Sequence, residues 1–404
     1  MRSHYSSGAL RHKYSLSTRA TRYAKYALVF ATLFVVGNLM VFRAVDSSNM
    51  RATTTTTDDA DTDRDLLLAA EGLTVIAAAN KVSFPGAEDE INGPLFVNDD
   101  GRSVRVNEHA WNQNAHLLCI ESPVGVGFSY NASGVYVADD VSQADDLYDA
   151  LQQFFVKFPQ LRANEFIISG ESYGGIYDSD SDKKINLTKF VVGNGVNEFS
   201  GLSIMLYAYY HGILSTEEYQ ETTMRVVTKL FMSQINMYNI YGTCAGTPEE
   251  SMKALVQELM TPQNGLPHPI GNPITMCLNS TQLDVYFNSE DLKHVHLLDY
   301  TGTLKQRVTP IWKELLAHGV KGVIYHGDVD MVCDFIGGLW ALQRVGKRKP
   351  WTVDLDGTQQ TGGFVEEFKG LTYVTVKGAG HLVPMWKPVE AKRMLDLFVL
   401  EREG

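Results

Sequence analysis

An α/β fold built on a mostly parallel sheet is what this 404-residue chain predicts, on two kinds of observation. The first is a set of short apolar runs that end in small or acidic residues: "HLLCIESP" (116–123), "EFIISGES" (165–172), "KFVVGNG" (189–195), "GVIYHGD" (322–328) and "LTYVTVKGAGH" (371–381). Runs of this kind, bounded by turn residues, suit strands buried on both faces. The second is helical periodicity between them. Within 141–158, Val141, Ala144, Leu147, Tyr148, Leu151, Phe154, Phe155 and Phe158 recur three and four residues apart, which gives one apolar helix face. "VTPIWKELLAHG" sets Pro310 near a helix start and Gly319 at its stop. The final segment, 388–401, puts Ala391, Met394, Leu395 and Phe398 on one side. Alternating strands and helices place helices on both faces of the sheet and functional residues beyond the carboxyl ends of its strands. Residues 200–300 break the rhythm, helical at first and then rich in Pro, Gly and Asn, and read as a cap inserted over that edge.

Charge is unevenly distributed. Residues 1–43 hold seven Lys or Arg and no acid, whereas the remainder holds 28 bases against 47 acids. An acidic body argues against nucleic acid as a partner. The basic segment 1–25 leads into "YALVFATLFVVGNLMVF", residues 26–42, seventeen positions without a charge. A stretch that long and that apolar predicts a membrane-spanning signal anchor, with residues 1–25 cytosolic and the rest lumenal. Secretion after signal cleavage is the alternative. Residues 43–70, Thr- and Asp-rich, read as an exposed stalk before a folded region over 71–404. Three glycosylation sequons, at Asn131, Asn186 and Asn279, agree with lumenal exposure. Of four cysteines, Cys244 and Cys277 flank a loop-rich stretch and are expected to pair in an oxidising compartment. Cys119 lies in an apolar run, where a thiol behaves as a small hydrophobe. No cysteine spacing resembles a zinc site, and no metal or organic cofactor is called for.

Gly170-Glu171-Ser172-Tyr173-Gly174 has the G-x-S-x-G pattern of a nucleophile elbow and follows an apolar strand, as that turn requires. A serine hydroxyl needs a neighbouring base to act as a nucleophile. α/β-Hydrolases supply the rest in the chain order Ser, acid, His. Two later strand ends match. "YHGDVDMVC" offers Asp328 and Asp330, between which spacing does not choose, and Asp328 can equally cap the turn that follows it. "VKGAGHLVP" offers His381, which among eleven histidines alone follows an apolar strand on a Gly-Ala-Gly turn. His326, ahead of the acid pair, reads as structural, and His294 and His296 have no acidic partner that suggests a metal.

These stretches, together with "INGPLFVNDDG", "WNQNAHLLCIESPVGVGFSYNAS", "KINLTKFVVGNGVN", "YYHGILS" and "INMYNIYGTC", run in order from about residue 92 to the C-terminus, and the chain resembles the serine carboxypeptidases. The resemblance implies an α/β-hydrolase fold with a cap, acting on peptide and protein C-termini through an acyl-enzyme at acidic pH. It makes Ser172 the nucleophile, His381 the base and Asp330 the acid. The backbone N–H of Tyr173 would be an oxyanion donor. Glu171 would recognise the substrate's terminal carboxylate through a shared proton, because two ionised carboxylates repel. Cys333 and Leu382 would border the substrate pocket.

The chain departs from that family pattern in two places. A strand ending in W-x-N-G-G-P-G-C-S-S, expected ahead of "NGP", has no counterpart, and "GLTVIAAANKVSFPGAEDEINGP" occupies the interval. That strand is an interior one, between those ending at Pro123 and Ser172, so "LTVIAAAN" (73–80) is expected to fill its place. The crossover after the elbow, "GGIYDSDSDKKINL", is short for a parallel connection. The departures leave two alternatives to a carboxypeptidase: an acyltransferase or esterase on the same scaffold, and a catalytically impaired relative.

Overall fold

A computed structural model describes residues 39–44, 68–70, 73–77, 92–122 (except 99, 101 and 121), 140–171, 185–195, 201–221, 226, 230, 235–243, 309–342 and 346–402. Among them, ten strands make one sheet in the order β10-β11-β12-β9-β8-β7-β1-β6-β3-β2. Four of the apolar runs of the sequence form its centre and one flank. They are β6 (Ala115–Ile120), β7 (Phe166–Glu171), β8 (Leu187–Gly193) and β9 (Lys321–Gly327), with β12 (Leu371–Val376) as the fifth. β7, β8, β9 and β12 pair in parallel in that order, so their carboxyl ends share one edge.

The sheet is mixed rather than mostly parallel. β10 (Lys349–Leu355) and β11 (Thr358–Phe368) add an antiparallel hairpin beyond β12. Its two-residue loop is Asp356-Gly357, both at positive φ (55° and 78°), as a primed turn requires. That dipeptide is a hairpin signal in the sequence.

The slot between β6 and β7 holds β1 (Leu39–Ala44), which runs antiparallel to both neighbours. This corrects two expectations. Residues 73–77 do form a strand, β3, but on the outer side of β6, where it pairs antiparallel and carries the short β2 (Leu68–Ala70) beyond it. And the stretch 26–42 does not end as a membrane span, because 39–42 lie in the sheet. The physical reason is the ladder itself: with the expected strand missing, β6 and β7 each expose a row of N–H and C=O groups in the interior, which must be paired. Residues 26–38 lie outside the described residues, among which no helix is long and apolar enough to cross a membrane. The sheet also reaches into the segment read as a stalk, at 43–44 and 68–70; residues 45–67 lie outside the described residues.

Helix α1 (Asp140–Lys157) buries Ala144, Leu147, Leu151, Phe154 and Phe155, the face expected from its periodicity. Phe155 meets Phe166 of β7 edge-on, with ring centroids 5.4 Å apart. α2 (Gly201–Tyr210) and α3 (Thr216–Glu221) open the cap region, of which residues 244–300 lie outside the described residues. α4 (Thr309–Ala317) has Pro310 in its first turn and ends before Gly319, at φ +86°. Its Trp312 stacks over Phe190 of β8. α5 (Phe335–Leu342) follows β9, and α6 (Val383–Trp386) and α7 (Pro388–Met394) follow β12. The core joins Ile167, Val191, Val323, Val374 and Val376 on the sheet to Ala391, Met394, Leu395 and Val399 at the C-terminal end, so the final helix docks as its pattern required.

If β1 completes the sheet, Val41→Pro removes a ladder N–H between two neighbours, Leu118 and Ile168. Proline cannot donate to the ladder and leaves a buried partner unsatisfied, so destabilisation by about 1–3 kcal/mol is expected on urea unfolding; an unchanged midpoint would mean the slot is filled otherwise.

Candidate active site

All four parallel strands deliver polar residues to the shared carboxyl edge. After β9 the chain turns through Asp328, Val329 and Asp330. After β12 it turns through Gly378, Ala379 and Gly380 to His381. The turn is tight because a Cβ on Gly380 would sit 2.4 Å from the Tyr238 carbonyl oxygen. His381 Nδ1 lies 2.7 Å from Asp330 Oδ2, and both residues are buried, Asp330 completely. The structure thus separates the two candidate acids that spacing left open. Asp328 instead accepts the Gly378 N–H at 2.6 Å, tying the end of β9 to the loop after β12 rather than capping its own turn.

Asp330 is held from several sides. Its Oδ1 accepts the N–H groups of Val332 (2.9 Å) and Cys333 (3.2 Å), and its Oδ2 accepts Asn194 Nδ2–H at 2.7 Å as well as His381. The cap contributes through its backbone. His381 N–H donates to the Tyr238 carbonyl (2.7 Å), Met331 N–H to that of Met237 (2.9 Å), and Ile240 N–H to that of Val329 (3.0 Å). The Tyr238 ring also packs against the imidazole, centroids 4.8 Å apart. Burial lowers the His381 pKa, but the charge and hydrogen bond of Asp330, with the charge of Glu171, outweigh it and hold the pKa above the ordinary value.

Glu171 ends β7. Burial raises its carboxyl to about 7, reinforced by the Asp330 charge and opposed by His381 and by the Val383 N–H that it accepts. Its Oε1 is buried with no hydrogen-bond partner among the described residues. Leu382, next to His381, is the residue before α6, and Cys333 is a buried cysteine whose N–H donates to Asp330. Asp330, Cys333 and His381 bring ligand-type atoms within 4.8 Å of one another. Asp330 and His381 engage each other, and both carboxylate oxygens already accept N–H donors.

Ser172 and Tyr173 lie outside the described residues, as do Asn131, Asn279, Cys244 and Cys277. Asn186 is described: its side chain donates to the Asn164 carbonyl at 3.0 Å. Sequence reasoning assigned no role to Asn194 or to Met237 and Tyr238. The signal for Asn194 was an Asn between two glycines at a strand end, in "VVGNG"; backbone contacts such as those of Met237 and Tyr238 have no signal in side-chain identity.

A fold of this topology, with Glu171 ending one parallel strand, Asp330 after a later one and His381 after the next, defines an α/β-hydrolase-like protein with a mixed sheet. Residues 82–401 match the family described as serine carboxypeptidase, and the chain belongs to that family. It is 30% identical to the lysosomal protective protein of Mus musculus, over 76% of this chain and 80% of the relative. It is 31% identical to serine carboxypeptidase-like 26 of Oryza sativa subsp. japonica, over 78% of this chain and 76% of the relative. A solved prohormone-processing carboxypeptidase from Saccharomyces cerevisiae superposes with a TM-score of 0.56 at 18% identity, covering 90% of this chain and 91% of that one, which speaks for the fold alone. The mouse alignment runs over 379 positions yet takes in 76% of 404 residues, about 307, so on the order of 70 of its positions have no counterpart in this chain. Interior losses of that size agree with the missing strand and the shortened crossover.

His326, read as structural, is wholly buried, and neither ring nitrogen has a hydrogen-bond partner among the described residues. Burial drops its pKa to about 4. The unfolded chain takes up this proton as pH falls through about 6.5 while the folded chain does not until about 4. Stability from this residue is therefore full above 6.5 and declines towards 4. In His326→Asn the loss of unfolding free energy between pH 7 and pH 4 should shrink by about 3 kcal/mol; an unchanged pH slope in denaturant titrations would rule out a buried neutral imidazole.

Proposed function

We propose that this serine carboxypeptidase releases C-terminal residues from peptides through an acyl-enzyme on Ser172, with His381 as general base and Asp330 as the acid that orients it. The observation that carries the assignment is the buried 2.7 Å contact between His381 Nδ1 and Asp330 Oδ2 at the edge where the elbow strand ends. Asp330 keeps the Nδ1–H tautomer, leaving Nε2 to take the Ser172 proton as the hydroxyl attacks the scissile carbonyl. The imidazolium then protonates the leaving amino acid, and water repeats the sequence on the acyl-enzyme. The backbone N–H of Tyr173 serves the developing oxyanion. One such donor is worth on the order of 10²–10³ in rate. A chain that acylates but turns over that much more slowly than its relatives would reflect the missing strand.

Glu171 is the recognition group for the substrate's terminal carboxylate. With its pKa near 7 it carries a proton at acidic pH and shares it with that carboxylate; above 7 the two anions repel. Its neutralisation also removes one of the charges that raise His381, so the base is freer when the recognition group is protonated. Both effects favour activity below pH 7. Cys333 and Leu382 border the leaving residue in this reading. We place the protein in the lumen of the secretory and lysosomal or vacuolar system, on the strength of the three sequons and of its likeness to a lysosomal relative, with Cys244 and Cys277 paired.

A fluorophosphonate should label the wild type at Ser172 and leave Ser172→Ala untouched. Hydrolysis of a blocked dipeptide should stop when its C-terminus is amidated; equal rates on the amide would make the protein an esterase or endopeptidase. Glu171→Gln keeps a neutral hydrogen-bonding side chain at every pH. Its KM is expected to stay flat from pH 6 to 8, where the wild-type KM climbs about tenfold per unit above 7.

A further inference from the structure

Resting on the reading of Asp330 and His381 as the acid–base pair, we infer that Asn194 is the positioning residue of the catalytic acid. It immediately follows β8, a strand that contributes nothing else to the pair, and is wholly buried. Its side-chain amide is oriented without ambiguity. Oδ1 receives the Gly327 N–H at 3.1 Å, and a backbone N–H can only donate, so the NH₂ end must face the other way. There it donates to Asp330 Oδ2 at 2.7 Å, the same oxygen that holds His381. The main chain reinforces the placement: Asn194 N–H donates to the Tyr325 carbonyl at 2.8 Å. Its φ of +40° lies in the left-handed region, which Asn tolerates better than most residues.

Two things follow. Mechanically, Asp330 has its Oδ1 fixed by two backbone N–H groups of its own turn, while its Oδ2 would be free to pivot with His381 were Asn194 not on its other side. The amide bridges the end of β8 to the end of β9 and so prevents the carboxylate from following the imidazole as it moves towards serine. Electrostatically, a neutral N–H donor on Oδ2 disperses the carboxylate charge and limits how tightly Asp330 retains the proton on His381. Removing the donor makes His381 harder to deprotonate, which raises its pKa and moves the acid limb of the rate profile to higher pH.

Asn194→Gly is the sharpest test. It suits the positive φ and removes the donor on Oδ2 without adding a charge. Expected is a fall in kcat of about 10- to 100-fold, the worth of a hydrogen bond to a charged group, with KM within twofold and an acid limb of kcat/KM displaced upward. Asn194→Asp, whose buried carboxyl shares a proton with Asp330 and so can still donate to it, should fall between Asn194→Gly and the wild type. Circular dichroism and melting of both variants establish that they are folded. A folded variant with the wild-type limb and kcat overturns the inference, as does loss of the fold in both, which would make Asn194 a structural residue only. A wild type that neither labels at Ser172 nor hydrolyses peptide fails the proposed function itself, before any variant is compared.

Discussion

The Asp330 carboxylate sits fully out of water and is engaged by N–H donors on both oxygens, and the geometry of this end of the molecule follows from that requirement. A buried polar or charged group without hydrogen bonds costs far more than one with them. The donors come from three places remote in sequence: the turn after β9, the end of β8 and the loop after β12. Satisfying one carboxylate therefore holds three strand ends in register. The cap segment completes the frame with three backbone hydrogen bonds to the acid and base loops, so a region inserted in sequence supports the pair from above.

Burial acts on the other titratable groups in opposite directions. It raises Glu171 to about 7 and lowers His326 to about 4, because in each case the neutral form is the one that tolerates low dielectric. A neutral acid can hydrogen-bond a carboxylate, and a neutral imidazole beside Asp330 does not compete with His381 for its charge. His381 is the exception, held above its ordinary value because its partner carboxylate outweighs its own desolvation. The three groups differ in the charge facing them more than in how deeply they lie.

The slot between β6 and β7 shows what ladder pairing decides and what it leaves open. Two interior edges must be paired, and β1 pairs both. It does so in the reverse direction: Leu39 lies opposite Gly170 and Ile120 at the catalytic edge, whereas Ala44 lies opposite Ala115 at the far edge. β1 thus ends on the side away from Asp330 and His381. A parallel strand in the same slot would have delivered its following loop, and that loop's N–H groups, to the elbow. Pairing alone restores the hydrogen bonds of the sheet and does not restore the chemistry of the edge.

Local pattern in the sequence determined five strands, the helices from 140 to 157 and 309 to 317, the buried face of the C-terminal segment, and His381 on its glycine-flanked turn. Periodicity and turn residues are properties of neighbours in the chain, and they survive into the fold. The Asp356-Gly357 hairpin was equally legible, and its omission made the sheet look more parallel than it is. Asp330 stood apart from Asp328 in the sequence only through the family resemblance. Geometry separates them because one carboxylate faces an imidazole 51 residues away and the other a backbone N–H 50 residues away. Tertiary structure alone decided that Leu39–Ala44 belongs in the sheet, that 73–77 lies outside β6, and that Asn194 reaches Asp330. Each of these depends on which distant edge or oxygen is left needing a partner, and no local pattern carries that information.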